Sequence, residues 1–437
     1  MSLAMSLRGR GPSGSAARTA RVLSRFGATA GAMTARLERY RAVATEFGVR
    51  PTWPTTACVL ARHPELLKRY ADGGAELAVH GLVHGDHAML GRDQQRETIA
   101  RAVGIFERAG LDPSGFRGPY LRYNDATLEV LAELGFRYHS SQAVAFPRTH
   151  GGAAAASGQR SYDLALDLYA AHDATRLAVR PRVRGALVDI PVAIPDDEII
   201  LERLHLDPPA RVAEWLRVFE RCYRRGDLFT LQLHPERIVE LEDALRVTLA
   251  EARRLRPRVF VARLDELAAW WWRRDRFSLC VRRTPDGGFR VQLDADRDAT
   301  LLVRGLEVPS MPWRGRDAVA VRPSFEVAAG RMPVVGISRR TPADVAGFLA
   351  EEGLPFEVSD EPGAYGAYLD IGAAHWNEAT VLDAIDEAPG PLVRLWRWPN
   401  GAGSALAITG DIDALTLKDF LLRSWETSRI STGRWAR

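Results

Sequence analysis

Two histidines four positions apart stand in the phrase His80-Gly81-Leu82-Val83-His84-Gly85-Asp86-His87, directly after the apolar run Leu77-Ala78-Val79. An apolar segment following Gly73-Gly74 reads as a buried strand, and it delivers both imidazoles where strand gives way to loop. Neutral imidazole binds zinc and other divalent transition metals, and a catalytic site of this kind keeps three protein ligands and an open position. The pair therefore calls for a third, oxygen ligand. Spacing alone leaves a solvated loop as the other reading, because ten histidines are spread along the chain.

The elements around this phrase alternate. Met33, Leu37, Tyr40, Val43 and Phe47 recur at helical spacing and end at Gly48, predicting a helix over 33–47. Residues 50–59 read as extended, with Pro51 and Pro54 restricting the backbone and Trp53, Cys58 and Val59 as core candidates. A helix over 60–71, the His80 strand, a helix over 94–109, the turn Arg117-Gly118-Pro119-Tyr120, a helix over 125–134 and a strand over 136–140 follow. Residues 150–160 are rich in Gly, Ala and Ser and read as an exposed loop. A strand over 187–192 leads into the acidic turn Asp196-Asp197-Glu198, read as solvated, and the apolar strand over 228–233 ends on His234. A strand–helix series with polar chemistry at strand ends points to an α/β barrel, in which loops after the strands bring His84, Arg117 and His234 to one mouth.

Composition sets outer limits. At 437 residues, 46% hydrophobic and 26% charged, the chain is long enough for several substantial cores and is not of disordered composition. Its formal charge of +4 comes from arginines spread over helical faces without interleaved aromatics, which argues against a nucleic-acid partner. Cys58, Cys222 and Cys280 lie far apart without CxxC spacing, so neither a disulfide framework nor a structural zinc site is expected. No stretch reaches the roughly 18 apolar residues of a membrane span, and residues 1–20 lack the apolar centre of a signal peptide. The expectation is a cytoplasmic protein with no membrane span and a mobile basic tail at 1–20.

Residues 50–272 resemble the polysaccharide deacetylase family, the NodB-type carbohydrate esterases of family 4. The resemblance rests on His80-Gly81-Leu82-Val83-His84 for the HxxxH motif, Arg117-Gly118-Pro119-Tyr120 for RxPY and Leu233-His234-Pro235 for the late LxHP motif, in that order, with Ala61-Arg62-His63-Pro64-Glu65 between. It implies a distorted (β/α) barrel and hydrolysis of an N-acetyl amide on a sugar or glycan. It also implies a divalent metal, zinc being the expected ion, with His80 and His84 as ligands and His234 as the acid for the leaving amine. Arg117 orients the base, Pro119 and Tyr120 line the groove, and the Tyr120 backbone N–H is an oxyanion donor. The implied partner is an N-acetylated sugar, oligosaccharide or lipid-linked sugar. Such amide hydrolysis needs a polarised carbonyl and a positioned base, since amides are poor electrophiles and water a poor nucleophile.

Two carboxylates of the family pattern are missing from their places. The stretch 21–27 carries no Asp pair, and His139 follows Tyr138 where the family places an Asp that pairs with the late histidine. The end of the chain offers a substitute: the apolar run 404–409 leads into Gly410-Asp411-Ile412-Asp413, followed by helical spacing at Leu417, Phe420 and Leu421. On extended backbone Asp411 and Asp413 point to one side, so one can serve as base and the other as ligand. Asp411 is taken as the base and Asp413 as the metal ligand, in a circularly permuted barrel whose last strand closes beside the segment at Arg50. The competing reading is an ordinary strand whose Asp413 caps the next helix.

The organisation expected is a tail at 1–20, a barrel over 21–272, a β-rich module over 273–330 with a hairpin at Pro285-Asp286-Gly287-Gly288, a small α/β region over 331–400, and a strand and helix over 401–437 that complete the barrel. Trp270-Trp271-Trp272 and Trp396-Arg397-Trp398 are read as junction packing rather than sugar stacking. The functional expectation is a metal-dependent deacetylase. The alternative is a barrel that lost its carboxylates and binds a glycan or partner without catalysis.

Overall fold

A computed structural model describes residues 25–148, 155–372 and 376–431. The expected tail at 1–20, most of the stretch 21–27 and the start of the loop expected at 150–160 lie outside these residues. The architecture is mixed α/β, and its site-bearing part is a ring of short parallel strands.

The extended segment 51–56 is the seam of that ring. Trp53 N donates to Glu76 O (2.7 Å) and Thr55 N to Ala78 O (2.7 Å), which places the His80 segment on one side. That segment is followed by β1 (Gly115–Phe116), β2 (Tyr138–His139) and β3 (Leu187–Asp189), each parallel to its neighbour. On the other side of the seam lies the last strand, Ser404–Thr409. Thr52 N donates to Ile408 O (3.1 Å) and Ile412 N to Pro54 O (2.7 Å). The last strand also pairs in parallel, along Ala405–Thr409, with Leu228–Gln232, and its start pairs with Val259–Val261. All six of its residues are buried, which is why it reads as a continuous apolar run rather than an alternating one. Parallel direction throughout puts His80, Arg117, His234 and Asp411 at the same, C-terminal end of the ring.

Helix Gly31–Glu46 covers the seam and buries Met33, Leu37, Tyr40 and Val43, the positions its periodicity marks. Several elements differ from the sequence reading for local reasons. The single helix expected over 60–71 is two, Ala57–Arg62 and Pro64–Asp72, because Pro64 starts a helix readily but cannot continue one. The strand expected over 187–192 breaks into Leu187–Asp189 and Val192–Ile194 around Pro191, which has no N–H for the ladder. The loop expected at 150–160 is helical from Ala155 to Tyr169.

Beyond the ring, the hairpin Ser278–Arg283/Phe289–Asp294 forms as expected, and strand Leu301–Arg304 pairs antiparallel with Leu392–Leu395. Met332–Ile337 is the centre of a parallel sheet between Phe356–Val358 and Tyr365–Leu369. Tryptophans pack the junction: Trp270 Nε1 donates to Arg397 O (2.8 Å) and Trp398 Nε1 to Gly226 O (2.8 Å). Glu352, fully buried, ties the two parts through Arg180, Arg394 and Arg397. Among the described residues no helix is long and apolar enough to cross a membrane.

Gly410 is where the last strand leaves the sheet, and a Cβ there would sit 1.9 Å from Leu233 O. Neither backbone can yield without breaking the pairing of both strands. Gly410→Ala is expected to destabilise the fold by about 2 kcal/mol or more, the range for overpacking, read as a lower urea midpoint at unchanged slope.

Candidate active site

The His80 segment ends in a tight loop that only glycine permits at its first turn. Gly81 has φ +75, and a Cβ on it would meet the His87 ring at 2.8 Å. His80 Nδ1 faces Arg117 O at 2.8 Å, which fixes the ring and leaves Nε2 pointing into the mouth, buried and without a hydrogen-bond partner. His84 is also buried, 5.2 Å from His80 between ring centroids.

Asp411 and Asp413, two positions apart on extended backbone, both enter this mouth. Asp413 Oδ2 lies 3.2 Å from His84 Nε2, and Oδ1 lies 3.5 Å from His80 Nε2. One ligand atom from each of His80, His84 and Asp413 falls within 4.8 Å of the others. Together with His84, the buried and unpartnered His80 Nε2 and Asp413 Oδ1 form a donor set of two imidazoles and a carboxylate, which fits a divalent transition metal. Burial presses the His84 imidazole well below its usual range, against the pull of Asp413. Burial works against the Asp413 carboxylate, but His84 and then Arg423 outweigh it and hold Asp413 below the usual carboxylate range.

Asp413 does not cap the following helix. Thr416 and Asp419 do, with Asp419 N donating to Thr416 Oγ1 (3.1 Å) and Thr416 N to Asp419 Oδ2 (3.0 Å).

Asp411 is held from two sides. Arg117 Nη1 donates to Oδ1 (3.1 Å), and Gln232 Nε2 donates to Oδ2 (3.1 Å), which is also 3.5 Å from His80 Nε2. Arg117 is fully buried and spends its other donors on Ser140 O (2.9 Å), Ser140 Oγ (3.0 Å) and Thr409 Oγ1 (2.8 Å). Pro119 is buried, and Tyr120 takes φ 60 and sets its ring 4.4 Å from that of His84.

His234 Nε2 closes the mouth opposite His80, 4.0 Å from Asp411 Oδ2. Its partner is Asp197, whose carboxylate accepts from His234 N (2.7 Å) and lies 2.8 Å from Nδ1. The acidic turn is thus no solvated loop: Asp196 and Asp197 are buried, followed by a π-helical turn Ile199–Arg203. Burial would lower the His234 pKa, but the Asp197 charge and hydrogen bond outweigh it and raise it to about 10. Burial would raise Asp197, but His234 and Arg237 outweigh it and bring Asp197 to about 2. His139, where the family pattern has an acid, instead faces Asp189 at 3.3 Å. Sequence reasoning missed Asp197, Gln232, Thr409 and Arg423. For Asp197 a signal existed, since it too follows an apolar strand.

All eight residues singled out from the sequence therefore gather at one mouth. Residues 27–139, the span holding His80, His84, Arg117, Pro119 and Tyr120, match the family model described as polysaccharide deacetylase. The chain is 33% identical over 91 residues to a "Peptidoglycan deacetylase-like protein FGM2" of Gibberella zeae, covering 21% of this chain and 27% of that one. It is 23% identical over 202 residues to a "Peptidoglycan deacetylase" of Helicobacter pylori, covering 42% and 66%. Both matches span less than two thirds of the relative's length. A solved structure of a "probable Polysaccharide deacetylase" from Pseudomonas aeruginosa PAO1 superposes at a TM-score of 0.42, with 19% identity over 55% of this chain and 73% of that one. The span matched by the family model holds two of the three motifs on which the resemblance rests, HxxxH and RxPY.

The Asp197–His234 pair makes a pH prediction. His234, raised above its unfolded value of about 6.5, contributes stability that is full below about pH 6.5 and is lost as pH rises through about 10. Asp197, lowered from about 4, contributes stability that is full above about pH 4 and is lost as pH falls towards about 2. In Asp197→Asn the His234 imidazole is expected to titrate well below its value in the parent, because the main influence opposing burial is gone and Glu236 remains as the smaller one. Imidazole NMR of both proteins checks this, and an unchanged titration contradicts it.

Proposed function

Starting from a chain whose residues 27–139 are polysaccharide deacetylase-like, we propose that it is a metal-dependent hydrolase that removes N-acetyl groups from a sugar or glycan. The observation that carries this reading is the convergence of His80, His84 and Asp413 within 4.8 Å, with Asp411 and His234 on either side. The permuted strand order is part of the proposal: the last strand takes the place beside the 51–56 segment where the family's Asp-pair strand belongs, supported by its parallel pairing there.

His80, His84 and Asp413 would hold the ion, with zinc the first choice for this donor set. A divalent ion bound there supplies Lewis acidity to a carbonyl oxygen and to water. Asp411, oriented by Arg117 and Gln232, accepts the proton of the attacking water. His234, kept protonated by Asp197, donates a proton to the leaving nitrogen. The Tyr120 backbone N–H, on a left-handed residue beside His84, donates to the developing oxyanion. Each carboxylate thus has a separate duty set by its own partner. Because the relatives are described as a peptidoglycan deacetylase-like protein and a peptidoglycan deacetylase, an N-acetylated sugar, oligosaccharide or lipid-linked sugar is the proposed substrate class. Cys58, Cys222 and Cys280 are all free, which supports a reducing, cytoplasmic setting and with it a soluble or lipid-linked substrate.

The test is metal content and acetate release from N-acetylated oligosaccharides in the same samples. One metal per chain is expected in the parent and in Asp411→Asn, with the latter slower by about 10²–10⁴-fold. Metal and activity are both expected to be lost in His84→Ala and Asp413→Ala. A parent that takes up no metal but binds the oligosaccharide would establish the non-catalytic alternative.

A further inference from the structure

The terminal helix Leu417–Ser431 is docked on the ligand-bearing loops. Its capping residue Asp419 is fixed to the barrel by Arg62 Nη1 (3.1 Å) and His63 Nε2 (3.0 Å). From that anchor two side chains one turn apart reach the site. Thr427 Oγ1 donates to His84 O (3.0 Å), and Arg423 Nη1 donates to Asp413 Oδ2 (2.7 Å).

Arg423 makes the two oxygens of Asp413 unequal. Oδ2 accepts from the guanidinium and lies 3.2 Å from His84 Nε2, while Oδ1 is buried, lacks a hydrogen-bond partner and faces His80 Nε2 at 3.5 Å. We propose that Arg423 is a positioning residue that confines Asp413 to one ligating oxygen and thereby sets which metal the site takes. This rests on the metal-site reading above and goes beyond it to selectivity. Zinc is content with four ligands and with nitrogen donors. Manganese and calcium prefer oxygen donors, and calcium takes carboxylates with one or both oxygens. Withholding Oδ2, and neutralising part of the carboxylate charge, costs the oxygen-preferring ions more than it costs zinc. An exposed ion pair would have little such influence, but here the Asp413 side chain is 10% exposed and that of Arg423 25%.

The experiment is competition titration of metal-free parent, Arg423→Met and Arg423→Gln with zinc and with manganese. The ratio of the two affinities is the readout, because a general loosening of the site moves both affinities together and leaves the ratio alone. The zinc-over-manganese ratio is expected to fall by about tenfold or more in both variants, the scale on which partners of metal ligands act. Either variant suffices if the other fails to fold. A ratio that stays at the parent's value, with zinc still bound, overturns the role of Arg423 and leaves the metal site standing. A parent that binds neither ion overturns the metal site and this proposal together.

Discussion

A guanidinium taken wholly out of water must have its charge matched and its donors filled, or it costs several kcal/mol. Arg117 is in that position, and the groups that satisfy it come from two distant parts of the chain. Ser140 lies 23 residues away, whereas Thr409 and Asp411 lie 292 and 294 away. Among these partners Asp411 brings the compensating carboxylate. The ring around Arg117 is therefore incomplete without the last strand, both in backbone pairing and in charge. Gly410 is bound to the same constraint, since it lets that strand pass within backbone contact of Leu233 just before Asp411 is delivered.

Charge balance inside the mouth follows one pattern. Three carboxylates converge there, and each is held by its own cationic or donor partners: Asp411 by Arg117 and Gln232, Asp413 by Arg423, and Asp197 by His234 with Arg237. Asp196 accepts from the Ile199 backbone N–H (2.9 Å), yet burial, then Asp197 and Glu198, push it up to about 7. Pairing leaves Asp413 Oδ1 and His80 Nε2 buried without a hydrogen-bond partner and raises His234 to about 10.

Much of this was legible before any coordinates. His80, His84, Arg117, His234, Asp411 and Asp413 each follow an apolar run, and polar residues at the ends of parallel strands have one place to go. The place of the last strand beside the segment at Arg50 was expected from the resemblance, with the DxD spacing supplying two carboxylates on one side and a capping strand as the competing reading. What was not legible depends on tertiary partners. Asp197 sits in an acidic triplet that looks solvated, and the return of His234 and Arg237 against it makes burial tolerable. Arg423 is one of many arginines on helical faces, distinguished only by where its helix docks. The helix Ala155–Tyr169 was hidden by a Gly- and Ser-rich lead-in, although its alanines are strong helix formers.

The central claim is that residues from opposite ends of the chain share one metal. Anomalous diffraction from crystals of the zinc-loaded protein, recorded at the zinc edge, tests it most directly. The account predicts a single peak bonded to His80, His84 and one oxygen of Asp413, with Asp411 alongside and not bonded. A peak held by the histidines without Asp413, or one lying away from the three, would contradict it.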